Sequence, residues 1–168
     1  MTERPKIKLE LTTTDKALEF AGWVAVFVMW VLIIANYSNL PDTIPTHYGP
    51  TGKADAFGGK AALWVLPLVA TLTFVGMTLL NKFPHLFNYP TKITNENALN
   101  QYTLATRLLR YMKLPMVVLF GYITFQTIQT ANGQADGLGN WLLPVGLVVV
   151  FIPLTFYFVK ARRGTQEK

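Results

Sequence analysis

The chain has 168 residues, 51% of them hydrophobic and only 14% charged, with a formal charge of +6 and no cysteine. A typical soluble domain carries roughly 25% charged residues, and the lack of cysteine excludes disulfide and thiol chemistry. The positive charge is segregated along the chain, which accounts for it without a nucleic-acid partner.

Four windows, residues 20–41, 61–81, 114–135 and 137–159, contain no Asp, Glu, Lys or Arg. Each has the roughly 18–20 residues that a helix needs to cross a ~30 Å hydrocarbon core. A chain of 168 residues leaves too little other material to bury four such helices in a soluble core. The pattern predicts an all-α integral membrane protein in a single domain. Its spans are expected at about residues 17–37, 61–80, 114–131 and 140–160, with an outer loop at 38–60 and an amphipathic helix at 94–113.

Residues 1–13 are polar and are expected to be mobile beside anionic headgroups. Thr14 or Asp15 suits the N-cap of the first helix, and Glu19 falls in its first turn, where the helix dipole favours an acid. The apolar run is too long for a signal peptide, and no A-x-A site follows it. Trp23, Trp30 and Tyr37 recur every seven residues, so they share one face, read as packing and interface anchoring.

Residues 36–60 concentrate the chemistry of the chain. They hold Pro41, Pro45 and Pro50, then Gly49, Gly52, Gly58 and Gly59, which rule out a helix and require a shaped loop. Residues 44–48 and 53–57 read as strands of a short β-hairpin closed by the turn sequence GPTG. Two registers fit, one pairing Tyr48 with Lys53 and the other His47 with Asp55, and one step exchanges the faces. Asp42, His47 and Asp55 supply an imidazole and two carboxylates, donors suited to a divalent ion such as zinc. The set lacks the paired histidines of an HExxH helix. A structural reading fits the same residues: Asp42 caps a turn, and His47 bonds Asp55 or a carbonyl. No catalytic residue emerges, because Ser38 has neither a neighbouring base nor a glycine elbow.

In the second span Pro67 favours a kink, and Thr71 is placed to bond a carbonyl there. Residues 81–93 are irregular around Pro84 and Pro90, with His85 an ordinary loop residue. From 94 to 113 helical periodicity gathers Ala98, Tyr102, Ala105, Leu108, Leu109 and Met112 on one side. Thr106, Arg107, Arg110 and Lys113 fall on the other. A basic amphipathic helix leading into a span is expected to lie in the inner interface, or to dock a cytoplasmic partner. In the third span Tyr122, Gln126 and Gln129 form a polar stripe at i, i+4, i+7, which must face other helices or a wet cavity, and the loop at 36–60, returning to the same surface, is expected to cover it. The fourth span carries Pro144 and Pro153 and ends in Lys160, Arg162 and Arg163, which can snorkel to the inner surface.

Leu40-Pro41-Asp42-x-Ile44-Pro45-x-His47, followed by Gly52, Asp55 and Lys60, resembles the signature of the domain of unknown function 1648. That resemblance implies a small bacterial membrane module, also found at the N-terminus of Sdp-type immunity proteins, marked at Pro41, Pro45, His47, Gly52, Asp55 and Lys60. Gly49 stands where the family more often has Asn, and the helical module that follows in the immunity proteins is missing here. The expected function is therefore non-enzymatic: a cytoplasmic-membrane protein of the sensing, immunity or envelope-stress kind that binds a peptide or protein at its outer face. The bilayer is its other partner, and no cofactor is expected beyond the divalent ion just weighed. The alternatives are a transport or assembly accessory using Gln126 and Gln129, and a metal-dependent membrane enzyme.

Lys53 and Lys60 are the only basic residues outside the segments expected on the inner side, so both termini are placed in the cytoplasm. A cysteine at Thr51 or Gly133 should therefore react with an impermeant thiol reagent in intact cells, and one at Asn97 should not. Labelling at Asn97 from outside would reverse the orientation.

Overall fold

The computed structural model describes residues 4–163, with Arg163 described by its backbone alone. It is mostly helical, with a small antiparallel two-stranded sheet. The elements are α1 (Thr13–Asn36), β1 (Thr43–Tyr48), β2 (Ala54–Gly59), α2 (Val65–Leu80), α3 (Ala98–Ala131) and α4 (Leu142–Arg163). Each of the four helices, α2 counted with the turn Lys60–Trp64 that leads into it, is long and apolar enough to cross a membrane. The hairpin β1–β2 sits at one end of the bundle, and most of the basic residues gather towards the other.

Helix α1 starts two or three residues earlier than its sequence suggests, because Thr12 is the N-cap. Thr12 and Asp15 form a reciprocal capping box, in which the Thr12 amide donates to Asp15 Oδ2 at 3.0 Å and the Asp15 amide to Thr12 Oγ1 at 3.2 Å. The Trp23/Trp30/Tyr37 stripe faces α2 and the turn before it. Trp23 meets Phe74 edge-on at 5.0 Å, while Trp30 and Tyr37 lie against Trp64. Trp30 Nε1 donates to Thr71 Oγ1 at 3.0 Å, and the Thr71 hydroxyl donates to the Pro67 carbonyl at 2.6 Å. Pro67 does not kink a running helix. Residues Lys60–Trp64 form a 3-10 turn and α2 begins at Val65, so Pro67 falls in the first turn, where no intrahelical N–H bond is lost.

The expected interfacial helix does not exist as a separate element. Residues 98–113 are the first half of α3, a continuous helix of 34 residues, about 51 Å long at 1.5 Å per residue. Its apolar side is covered by protein. Ala105 clusters with Tyr157 and Ala161 of α4 and with Phe87 and Tyr89 of the preceding loop, and Gln101 Nε2 donates to the Ala161 carbonyl at 2.9 Å. Its basic side is covered too. Lys113 is fully buried, its ammonium 2.6 Å from both Glu19 Oε2 and Thr78 Oγ1 and 4.5 Å from the centre of the Phe74 ring. Arg110 Nε donates to Glu19 Oε1 at 3.1 Å, and Arg110 and Arg107 both stand within 4 Å of the buried carboxylate of Asp15. Arg110 and Lys113 are thus interior residues rather than headgroup contacts, because α1 presents two acids to them. Of the six basic residues assigned to the inner surface, Arg107, Lys160 and Arg162 remain partly or largely exposed, with Lys160 over the Phe156 ring.

Residues 4–11 also depart from expectation. They run as an extended strap in which exposed residues alternate with partly buried ones, Pro5, Ile7 and Leu9 turning inward. Arg4 pins the strap by donating to the carbonyls of His85 and Phe87, and the Tyr102 hydroxyl donates to the Pro5 carbonyl at 3.1 Å.

A buried ion deprived of its partner typically costs about 3–5 kcal/mol, whereas an apolar pair of similar volume can replace the ions at little cost. Glu19→Leu and Lys113→Met should therefore each lower unfolding stability in detergent by about 3–5 kcal/mol. The double variant should lose much less than the sum of the two. Additive losses would show that the two side chains are not coupled.

Candidate functional site

The loop motif is built as a plug, a clamp and a tip. Leu40 and Ile44 are the plug: both are buried against Ile33, Leu63 and Ile128, which ties the hairpin base to α1, to the turn before α2 and to α3 at once. Pro41 and Pro45 flank these two residues and hold the chain extended as it enters the sheet. The clamp is Lys60. Its backbone amide donates to the Asp42 carbonyl at 2.9 Å, and its ammonium lies 3.2 Å from Asp42 Oδ1 and 3.4 Å from the Leu40 carbonyl.

At the tip Gly49 and Lys53 pair through a 2.9 Å bond, and the Gly52 amide donates to the Gly49 carbonyl at 2.9 Å. The result is a three-residue connection ending in Gly52 at φ +78°, a left-handed position that closes many such hairpins. Of the two registers open in the sequence this selects the one that sets His47 near Asp55. Irregularities on both sides of His47 then shift its partner to Ala56, and Thr43 pairs with Gly59. His47 Nδ1 lies 2.5 Å from Asp55 Oδ1, with both side chains more than half exposed. An exposed pair of this kind contributes little to stability, so burial of Leu40 and Ile44 is what anchors the hairpin.

The three candidate metal ligands do not converge. His47 and Asp55 meet, while the Asp42 carboxylate is held at Lys60. Among the described residues no three His, Cys, Asp or Glu side chains are grouped as a metal site.

The polar stripe on α3, over which the hairpin loop is expected, is met directly by the segment that follows α3. The Tyr122 hydroxyl donates to the Leu138 carbonyl at 3.2 Å and Gln126 Nε2 to the Gly137 carbonyl at 2.9 Å. The loop between α3 and α4 therefore closes over these two residues. Gln129, the third of the stripe, is partly buried. The hairpin reaches the next face of α3 through Tyr48, whose hydroxyl donates to Thr127 Oγ1 at 2.9 Å. Burial pushes the Tyr48 phenol above its ordinary pKa and the bond to Thr127 pulls it back, so it remains a donor at neutral pH.

Hairpin and loop then join to each other, as the Leu138 amide donates to the Gly52 carbonyl at 2.7 Å. Around this bond the backbones of Gly52, Gly137 and Gly139 touch. A Cβ on Gly52 would overlap the Gly139 carbonyl, and one on Gly137 would overlap the carbonyl of Gly52. Glycine is required here for close approach as well as for φ. Beside the junction opens a surface cavity of about 540 Å³, walled by Thr51 and Lys53 of the tip, Tyr122 and Gln126 of α3, and Asp136 and Trp141 of the loop. Trp141 lies tilted against Tyr122, with ring centres 4.9 Å apart, and forms its aromatic side. The sequence signals for this junction were glycines without an assigned turn, Gly137 and Gly139.

Gly52→Ala should separate tip from loop while leaving the plug intact. The expected result is faster amide exchange at Leu138 and faster protease cleavage within residues 132–141, with helix content unchanged. Unaltered protection at Leu138 would mean the junction does not hold the two segments.

Residues 24–71, from the middle of α1 through the hairpin to the first half of α2, match the family model described as Domain of unknown function (DUF1648). An uncharacterized protein of Archaeoglobus fulgidus is 28% identical over 162 residues, spanning 89% of this chain and 88% of its own length. No solved structure matches the chain. The matched residues take in the loop motif of residues 40–60, which resembles that same family.

Proposed function

We propose that this is a non-enzymatic binding protein of the cytoplasmic membrane, with both termini inside, which takes an extended peptide segment of a partner into the cavity at its hairpin end. The observation that carries this reading is the two-part wall, in which the hairpin tip and the α3–α4 loop meet at Gly52 and leave the cavity open beside them. The lining offers what a peptide needs: a cation at Lys53, an anion at Asp136, and an aromatic surface at Trp141. The outer edge of β2 adds a row of backbone groups beside an exposed Phe57, a geometry that strand addition uses. A sensing or immunity role of the kind the Sdp-type resemblance suggests would act through such a contact.

A path for solutes along the polar stripe is less favoured, because Tyr122 and Gln126 already donate to loop carbonyls.

A photo-crosslinking residue at Thr51, tested in native membranes, should give a peptide-containing adduct absent from the same residue at Val148. Adding Trp141→Ala or Lys53→Glu should reduce that adduct severalfold. Equal adducts at both positions, or a Thr51 adduct indifferent to Trp141→Ala, would refute the reading.

A further inference from the structure

A second cavity, also about 540 Å³, opens at the basic end between the N-terminal strap, α1 and the end of α2. Its walls divide by chemistry. Ile7, Leu9, Leu11 and Trp23 are apolar, whereas Lys8, Lys82, Asn81, Thr78, Glu19 and Arg110 are polar or charged.

The polar groups are not equally occupied. Arg110 and Glu19 bind each other, and the Thr78 hydroxyl is engaged with Lys113 and the Phe74 carbonyl. Among the described residues the ammonium groups of Lys8 and Lys82 have no partner, and both side chains are exposed at the mouth. Deeper in the wall, Asn81 is only 9% exposed, yet neither its Oδ1 nor its Nδ2 has a hydrogen-bond partner. Buried amides are nearly always paired, and an orphaned donor and acceptor on a cavity wall call for a partner that brings both an acceptor and a donor.

We propose that this cavity binds a phosphate ester that also carries a hydrogen-bond donor, the chemistry of a phospholipid headgroup with a hydroxyl or ammonium terminus. The phosphate lies between Lys8 and Lys82 and accepts from Asn81 Nδ2. The donor group reaches Asn81 Oδ1. Trp23, Leu9 and Leu11 face the apolar remainder of the molecule, an arrangement suited to a ligand that is polar at one end only. The same groups could take a soluble phosphate ester, and the experiment separates the two sources.

Native mass spectrometry of the full chain in mild detergent, with equal amounts of phosphatidylglycerol, phosphatidylethanolamine and phosphatidylcholine, reads the site directly. One lipid with a donor headgroup should be retained in preference to the choline lipid, which has phosphate but no donor. Lys8→Gln with Lys82→Gln should weaken retention on the order of tenfold, as expected for two lysines at a membrane surface. Asn81→Leu should abolish the preference over choline without loss of helix content. Lys160→Gln with Arg162→Gln removes the same charge elsewhere and should change retention little. Glycerol 3-phosphate that displaces the lipid at equal concentration would assign the site to a soluble ester, whereas failure to displace it assigns the site to lipid. Retention that ignores the Lys8/Lys82 pair, or falls equally with the Lys160/Arg162 pair, would overturn the proposal.

Discussion

The arrangement of this bundle depends on a small group of charges largely withdrawn from water. Lys113 is wholly enclosed, and it is tolerable there only because Glu19, Thr78 and the face of Phe74 surround its ammonium. Each of those contacts comes from a different helix from its own, so satisfying one cation fixes α1, α2 and α3 relative to one another. Arg110 and Asp15 extend the same group along the α1–α3 seam. Hydrophobic packing gives no comparable specification in such a chain. Apolar surface gains little by exchanging a lipid tail for a leucine, whereas polar partners are unique.

The other end of the bundle solves a related problem with backbone. Tyr122 and Gln126 need acceptors, and the loop after α3 offers carbonyls at Leu138 and Gly137. Glycines let that loop lie flat against the hairpin tip, so the cover over the stripe and the head of the family motif become one surface. The motif itself divides its labour in physical terms. Leu40 and Ile44 supply burial, Asp42 and Lys60 close the base, and Gly52 supplies a backbone conformation that other residues resist. His47 and Asp55 remain displayed at the surface.

Much of this was legible in the sequence, and what was missed has identifiable causes. Charge-free windows located four apolar helices, and Pro and Gly located the hairpin. Counting Lys and Arg, however, treats every cation as a surface group. The contrary signal lay in spacing: Asp15 and Glu19 are four apart on α1, and Arg107, Arg110 and Lys113 are three apart on α3, giving two complementary faces. The strap was equally readable, since Pro5-Lys6-Ile7-Lys8-Leu9-Glu10-Leu11 alternates with the period of an extended chain. Its polar composition concealed that pattern. Chain direction alone puts the hairpin over the stripe, and the loop after α3, which returns to the same end, carries no signal there beyond its glycines. Only the backbone contact of Gly52 with Leu138 and Gly139 shows that they share it.

The unbroken course of α3 has a mechanical consequence. The cover over Tyr122 and Gln126 towards one end, and Gln101 and Tyr102, which hold α4 and the strap at the other, are carried on the same rod, with Lys113 close to its midpoint and Pro115 the one proline within it. For a rod of about 51 Å, a tilt of about 5° around its midpoint moves each tip by roughly 2 Å. That is the size of the helix displacements by which packed proteins change state. A lever of this length couples events at its two tips by geometry alone, unless the helix bends at Pro115.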